Sequence, residues 1–308
     1  AKPRRWLIAL LHNRLTACSE PRTTLPYVTS STPNARSPPR RTAADTQPKK
    51  LRVMTLNLAH GRAGSWARFI QSAPRARANL SRVARTLERE RPDVVALQEV
   101  DNNSAWNGRF DHGTYIARDA RYPHHVGGRH HVNGLLDYGT ALLSKLSLRS
   151  TATFAFDRPI ARPGKGFVVS TVGWPDAPHV EVDLVSLHLD FLSARKHRRE
   201  LQELVTALSP RSRPRIVMGD FNAGRGAEAL AEVAAALDLH TYEPDKLHVT
   251  FPALGRRLDW VLVSRDFEFA RHQVLAESLS DHQAVIAELS LRRSSSIATA
   301  AGRASRLG

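Results

Sequence analysis

Cysteine is nearly absent from this 308-residue chain. Cys18 is the only one, which excludes a disulfide framework and a thiolate metal site. No run of 18 apolar residues occurs, so no ordinary membrane-spanning helix is encoded. An acidic excess is missing too: the formal net charge is +16. That charge is unevenly spread. Residues 1–50 carry ten Lys/Arg against two acids, and residues 291–308 carry four Arg and no acid. This leaves 31 basic and 27 acidic residues between 51 and 290, so the basicity sits mostly in the tails and does not by itself identify a nucleic-acid enzyme. A protein that binds nucleic acid through those tails remains the reading that charge leaves open. Hydrophobic residues make up 42% of the chain, enough to bury a sizeable core.

Three segments follow from the pattern. Residues 20–50 hold six prolines among Ser, Thr, Arg and Lys without a period, so 1–50 reads as a disordered basic leader. Its start, Lys2 to Arg5 followed by Trp6 to Leu11, resembles a secretion signal, and Leu15-Thr16-Ala17-Cys18 resembles a lipoprotein cleavage box. The apolar run is shorter than the roughly 7–15 residues of such a signal and is interrupted at His12, Asn13 and Arg14. A cytoplasmic location is therefore favoured over export or anchoring through Cys18. Residues 291–308 read as a disordered basic tail.

Between the tails, 51–290 forms the folded domain. Strands are predicted at 51–58, 94–97, 138–144, 148–156, 165–173, 179–188, 214–219, 258–263, 267–274 and 282–289. Helices are predicted at 75–90, 193–208 and 226–237. So many strands with so few helices between them suit an α+β domain with an antiparallel or mixed sheet.

Six polar clusters fall at predicted strand ends: Asn57; Glu99 in Leu97-Gln98-Glu99-Val100; His188 in Ser186-Leu187-His188-Leu189-Asp190; Asp220 and Asn222 in Gly219-Asp220-Phe221-Asn222; Asp259 in Leu258-Asp259-Trp260; and Asp281-His282. Strand ends are where α/β proteins place their chemistry. An Asp and an Asn two residues apart can orient a water and hold an oxyanion. Glu99 and Asp281 are hard oxygen ligands that favour Mg²⁺ or Mn²⁺ over Zn²⁺. His282 needs an acid to hold its tautomer, and Asp259 is the candidate. Taken singly, each reads more readily as a capping Asp, a turn Asn or a satisfied core His.

In this order and spacing the clusters, together with Tyr138-Gly139-Thr140-Ala141-Leu142-Leu143-Ser144, resemble the endonuclease/exonuclease/phosphatase superfamily. The resemblance implies a four-layer α/β sandwich: two mixed β-sheets packed face to face, helices outside, and an active site at one edge. It implies Glu99, Asn57 and Asp281 as ligands of Mg²⁺, with Mn²⁺ as a substitute. It also implies Asp220 as the residue that activates water, Asn222, His188 and His282 as phosphate contacts, and Asp259 as the partner of His282. His188 resembles the branches of deoxyribonuclease I, sphingomyelinases and 5-phosphatases rather than the apurinic endonuclease branch. The expected partner is a phosphate-ester substrate (nucleic acid, phospholipid or small molecule), met by a monomer without a stable protein partner. A non-catalytic scaffold of the same fold is the competing reading.

Two segments stand out as specificity elements. Residues 101–113, with Trp106, Arg109 and His112, are expected to form a loop on the rim of the metal site. Residues 121–134, rich in His and Gly, read as a polar surface loop, with a second metal on the histidines as the alternative. Tyr138 and Arg195 complete the expected substrate contacts; Arg195 opens a basic helix face near the site.

Overall fold

The computed structural model describes residues 22–24, 27–30, 49–63, 71–157, 164–191, 193–223 and 227–292. Two seven-stranded sheets carry the fold. One runs in the order β1 (Arg22–Thr24), β7 (Arg149–Ala155), β8 (Gly166–Trp174), β9 (Ala177–His188), β10 (Arg215–Asp220), β12 (Asp259–Ser264), β11 (Leu239–Thr241). The other runs β13 (Phe267–Val274), β14 (Val285–Leu291), β3 (Leu51–Asn57), β4 (Val94–Asp101), β6 (Asp137–Ser144), β5 (His124–Val132), β2 (Tyr27–Ser30). Both sheets are mixed, with parallel pairs at β3–β4 and β9–β10.

Side-chain alternation along the strands explains the layering. Leu51 and Val53 of β3, Ile216 and Met218 of β10 and Leu184 of β9 point between the sheets into one apolar cluster. Their neighbours Met54 and Leu56 face α1 (Ala73–Glu90) and α2 (His112–Asp119), meeting Leu80, Val83, Leu87 and Ile116. On the far side, Val185, Leu187 and Val217 meet Leu201, Leu204 and Leu208 of α3 (Ala194–Leu208) and Val233 of α4 (Ala227–Ala236). Strands buried on both faces must be apolar throughout, which is why Ile216-Val217-Met218 shows no polar alternation. The result is the four-layer sandwich.

Three features depart from the sequence reading. The segment expected as a polar loop at 121–134 is largely strand β5, paired to β6 with His125, His130 and His131 buried. Among the described residues, those histidines form no group able to share an ion. Residues 101–113 hold a 3₁₀ turn, Ala105–Asn107, and the start of α2, whose N-cap Asp111 accepts from Thr114 N. Two short strands, β1 and β2, lie inside the segment expected to be a disordered leader. They pair with the edges of β7 and β5, covering backbone groups that would otherwise lie open.

Candidate active site

Strand register brings the polar clusters to one edge. Asp220 sits beside His188 in the parallel β9–β10 pair and opposite Asp259 in the antiparallel β10–β12 pair. Asn57 ends β3 beside Gln98 of β4. Glu99 follows in a β-bulge opposite β6, with φ of +52°. That left-handed conformation is strained for a non-glycine residue and re-aims the side chain out of the ladder. Asp281 and His282 arrive on the connection from β13 to β14.

Asp220 is the meeting point. Its Oδ2 accepts from Asn57 Nδ2 at 3.0 Å and lies 3.4 Å from His188 Nε2 and 3.8 Å from His282 Nε2. Burial pushes this carboxyl up to about 7, with the His282 charge opposing and the Asp259 charge adding to the shift. His282 Nδ1 bonds Asp259 Oδ2 at 2.8 Å. Burial works against the His282 cation, but Asp259 and Asp220 outweigh it and hold the imidazolium up to about 10. His188 behaves oppositely: burial and the charge of Lys165 press it well below its ordinary value, so it is a neutral imidazole. Asn222, at φ +49°, bonds Asp220 Oδ1 through its backbone N–H at 3.0 Å. It spends one amide N–H on Leu189 O at 2.8 Å, leaving the other.

Asn57, Glu99, His188, Asp220, Asn222, Asp281 and His282 all line one pocket of about 500 Å³. Asp259 stands behind His282, fully buried. Of the five expected substrate contacts only Trp106 lines the pocket. His112 and Tyr138 are buried: His112 lies 3.9 Å from Asp101 and Tyr138 packs on His60 and His131. Arg109 and Arg195 are exposed and are not among the lining residues.

Sequence reasoning missed several lining residues. His60 has a strained φ of +56° and bridges two carboxylates, with Nδ1 3.1 Å from Asp101 and Nε2 3.4 Å from Glu99. Asp101 is itself gripped by Trp106 Nε1 at 3.1 Å and Asn107 Nδ2 at 2.6 Å. Arg62 stacks over Trp106 at 4.6 Å. Arg256, Phe251, Leu254 and Phe191 form another part of the lip. Lys165, not itself among the lining residues, reaches two that are from the position before β8: its Nζ is 2.6 Å from His188 Nε2 and 3.6 Å from Glu99 Oε1. The only local signal was a basic residue between Gly164 and Gly166, and a His-Gly-Arg run shortly after Asn57.

Two groups could hold a cation. Ligand atoms of Asp220, Asp259 and His282 lie within 4.8 Å of one another, but His282 is engaged by Asp259 and kept protonated, and a protonated imidazole nitrogen is no ligand. The better donors are the oxygens of Glu99, Asn57 and Asp281. Burial, outweighed by the positive charges around it, those of Lys165 and His282 among them, leaves Glu99 far below the usual carboxylate range and hence ionised. Asp281 Oδ1 is buried without a hydrogen-bond partner among the described residues. Asn57 Oδ1 accepts from Ala59 N at 2.9 Å, which leaves one lone pair. An all-oxygen set of this kind fits a hard divalent cation.

Comparison with known proteins places this geometry in a family. The Endonuclease/Exonuclease/phosphatase family profile matches residues 54–282. Among curated proteins, none matches this sequence. Similar solved structures include an endonuclease/exonuclease/phosphatase from Beutenbergia cavernae, at 20% identity and TM-score 0.63, covering 79% of this chain and 72% of that one. The human nocturnin catalytic domain with bound sulfate follows at 17% identity and TM-score 0.60, covering 79% and 94%. A mannosyl-6-phosphatase from Bacteroides thetaiotaomicron shows 16% identity and TM-score 0.61, covering 78% and 100%. With the profile spanning most of the folded region and the sandwich shared, the chain belongs to the endonuclease/exonuclease/phosphatase family.

Proposed function

We propose that this chain hydrolyses a phosphate ester with the help of a divalent cation, Mg²⁺ or its substitute Mn²⁺. The observation that carries the reading is the convergence of Asn57, His188 and His282 on Asp220 Oδ2, in one pocket with Glu99. Glu99, Asn57 and Asp281 would hold the ion, which supplies positive charge to phosphoryl oxygens. Asp220, raised toward neutrality, takes the proton of the attacking water. The water oxygen bonds phosphorus in line, and the ester oxygen departs with the electron pair of the broken P–O bond. His282, kept cationic by Asp259, faces the developing negative charge, while the free N–H of Asn222 orients the phosphate.

The lip supports an ester whose remaining portion is apolar or aromatic. Phe191 is 66% exposed and Leu254 is 60% exposed, and both line the pocket along with Arg62 and Arg256. A panel of plasmid DNA, RNA, sphingomyelin, phosphatidylinositol phosphates and nucleotides under Mg²⁺ and Mn²⁺ identifies the substrate. The reaction itself is tested with bis-p-nitrophenyl phosphate. Glu99→Gln and Asp220→Asn should each lose on the order of 10²–10³ in rate, and chelation should silence the wild type until Mg²⁺ is restored. Equal activity in all three proteins would remove the assigned site.

A further inference from the structure

Lys165 belongs to none of the roles above, yet it stands at the centre of the pocket's charge. Its backbone is fixed. Phe156 N donates to Lys165 O at 3.0 Å, and the next residue, Gly166, pairs with both His188 and Ala155 across three strands. Only glycine fits at 166, since a Cβ there would lie 2.1 Å from Phe154 O and 2.7 Å from His130 Nδ1. The lysine is launched from this rigid start and is 6% exposed. Its Nζ donates to His188 Nε2 at 2.6 Å and lies 3.6 Å from Glu99 Oε1. Among the described residues, Glu99 is the one acid within ion-pair distance of it. Its charge reaches His130 as well, which burial and Lys165 together press down to about 3.

A buried ammonium needs a counter-ion. Glu99 provides one as long as its carboxylate is uncommitted. A divalent cation on Glu99 would take that counter-charge away and set two positive centres side by side, so Lys165 works against metal binding. A pocket shaped for the metal alone has no use for it. The group that restores balance is an anion arriving between the two, and the phosphate oxygens of a substrate are such an anion. Resting on the phosphoesterase reading, we infer that Lys165 is a catalytic residue that contacts a non-bridging oxygen of the substrate phosphate and weakens metal binding until substrate arrives.

The two parts predict changes of opposite sign. Lys165→Met and Lys165→Arg are purified, with wild-type circular dichroism and melting temperature as the entry condition. Mg²⁺ and Mn²⁺ binding is measured calorimetrically without substrate, and hydrolysis of bis-p-nitrophenyl phosphate is measured at saturating metal. Lys165→Met should bind metal about tenfold tighter, because a nearby like charge is gone, while kcat falls by on the order of 10²–10³. Lys165→Arg should keep metal affinity near wild type and recover much of kcat. Undiminished kcat in Lys165→Met overturns the phosphate contact. Weaker metal binding in Lys165→Met, at the unchanged melting temperature, shows that the lysine supports Glu99 rather than opposing the metal and overturns that part of the inference. If the wild type hydrolyses no ester, the phosphoesterase reading fails and the phosphate contact falls with it. The calorimetric arm still decides separately, since unchanged metal affinity in Lys165→Met overturns its opposition to the metal.

Discussion

Asp259 acts through an imidazole. It lines no part of the pocket, yet its 2.8 Å bond to His282 Nδ1 is a main reason that His282 stays protonated up to about 10. The sign of the consequence is fixed. A group whose value is raised in the fold keeps its proton to higher pH, so activity that depends on the imidazolium should persist through the mildly alkaline range. On the acid side, Asp220 must lose a proton held up to about 7, so the rate should climb through neutrality. Asp259→Asn should bring the alkaline limb down toward the ordinary imidazole range of about 6.5, narrowing the bell. A kcat/KM–pH profile of both proteins checks this, and an unmoved alkaline limb would separate His282 from the rate. At this scale the sequence was informative about residue type. Asp, Asn and His at strand ends read as chemistry. Lys165 and His60 did not, because nothing near them in sequence marks which neighbours a strand start and a short turn will meet.

Elements set where those side chains point. Gly219 occupies φ +149° in β10, and a Cβ there would sit 1.9 Å from Leu187 O in β9. The parallel pair that aligns Asp220 with His188 is possible only because residue 219 has no side chain. Gly219→Ala should lower unfolding stability by about 2–4 kcal/mol and displace Asp220, with activity lost alongside. Gly255 also has a positive φ, +58°, but open space around it, so Gly255→Ala should cost only about 1 kcal/mol of backbone strain. Calorimetric melting of the two variants distinguishes them, and equal losses would refute the close-approach argument. Most strands and the long helices were legible because apolar periodicity records burial. Strand β5 was not, since His-His-Val-Gly-Gly-Arg-His-His carries no apolar alternation. Its place comes from pairing with β6 and from Gly139, where a Cβ would lie 1.7 Å from Gly128 O.

Across the whole molecule, buried polar side chains tie the two sheets together beneath the site. Gln98 Nε2 donates to Ser186 Oγ at 3.1 Å, Ser186 Oγ donates to Leu97 O at 3.0 Å, and Thr55 Oγ1 donates to Gln98 Oε1 at 3.3 Å. All three side chains are buried. Gln98→Ala leaves a cavity and strips Ser186 and Thr55 of a partner, so it should destabilise by about 2–4 kcal/mol. It should also reduce activity, because Asn57 and Glu99 sit on one sheet and His188 and Asp220 on the other. A denaturation midpoint lowered without loss of rate would show that these side chains hold the fold but not the register of the site.

The amino-acid sequence by itself determined the strand-rich α+β class and, through its family resemblance, the sandwich and the candidate site residues. Double-sided burial demands continuous apolar strands, and Asn57, Glu99, His188, Asp220, Asn222, Asp259, Asp281 and His282 carry their chemistry in their side-chain types. The tertiary structure alone decided which groups share charge. Lys165 and Glu99 are 66 residues apart in sequence and 3.6 Å apart in space, and His60 bridges Glu99 and Asp101 through a strained turn. Electrostatic coupling falls off with distance in space and is indifferent to distance along the chain.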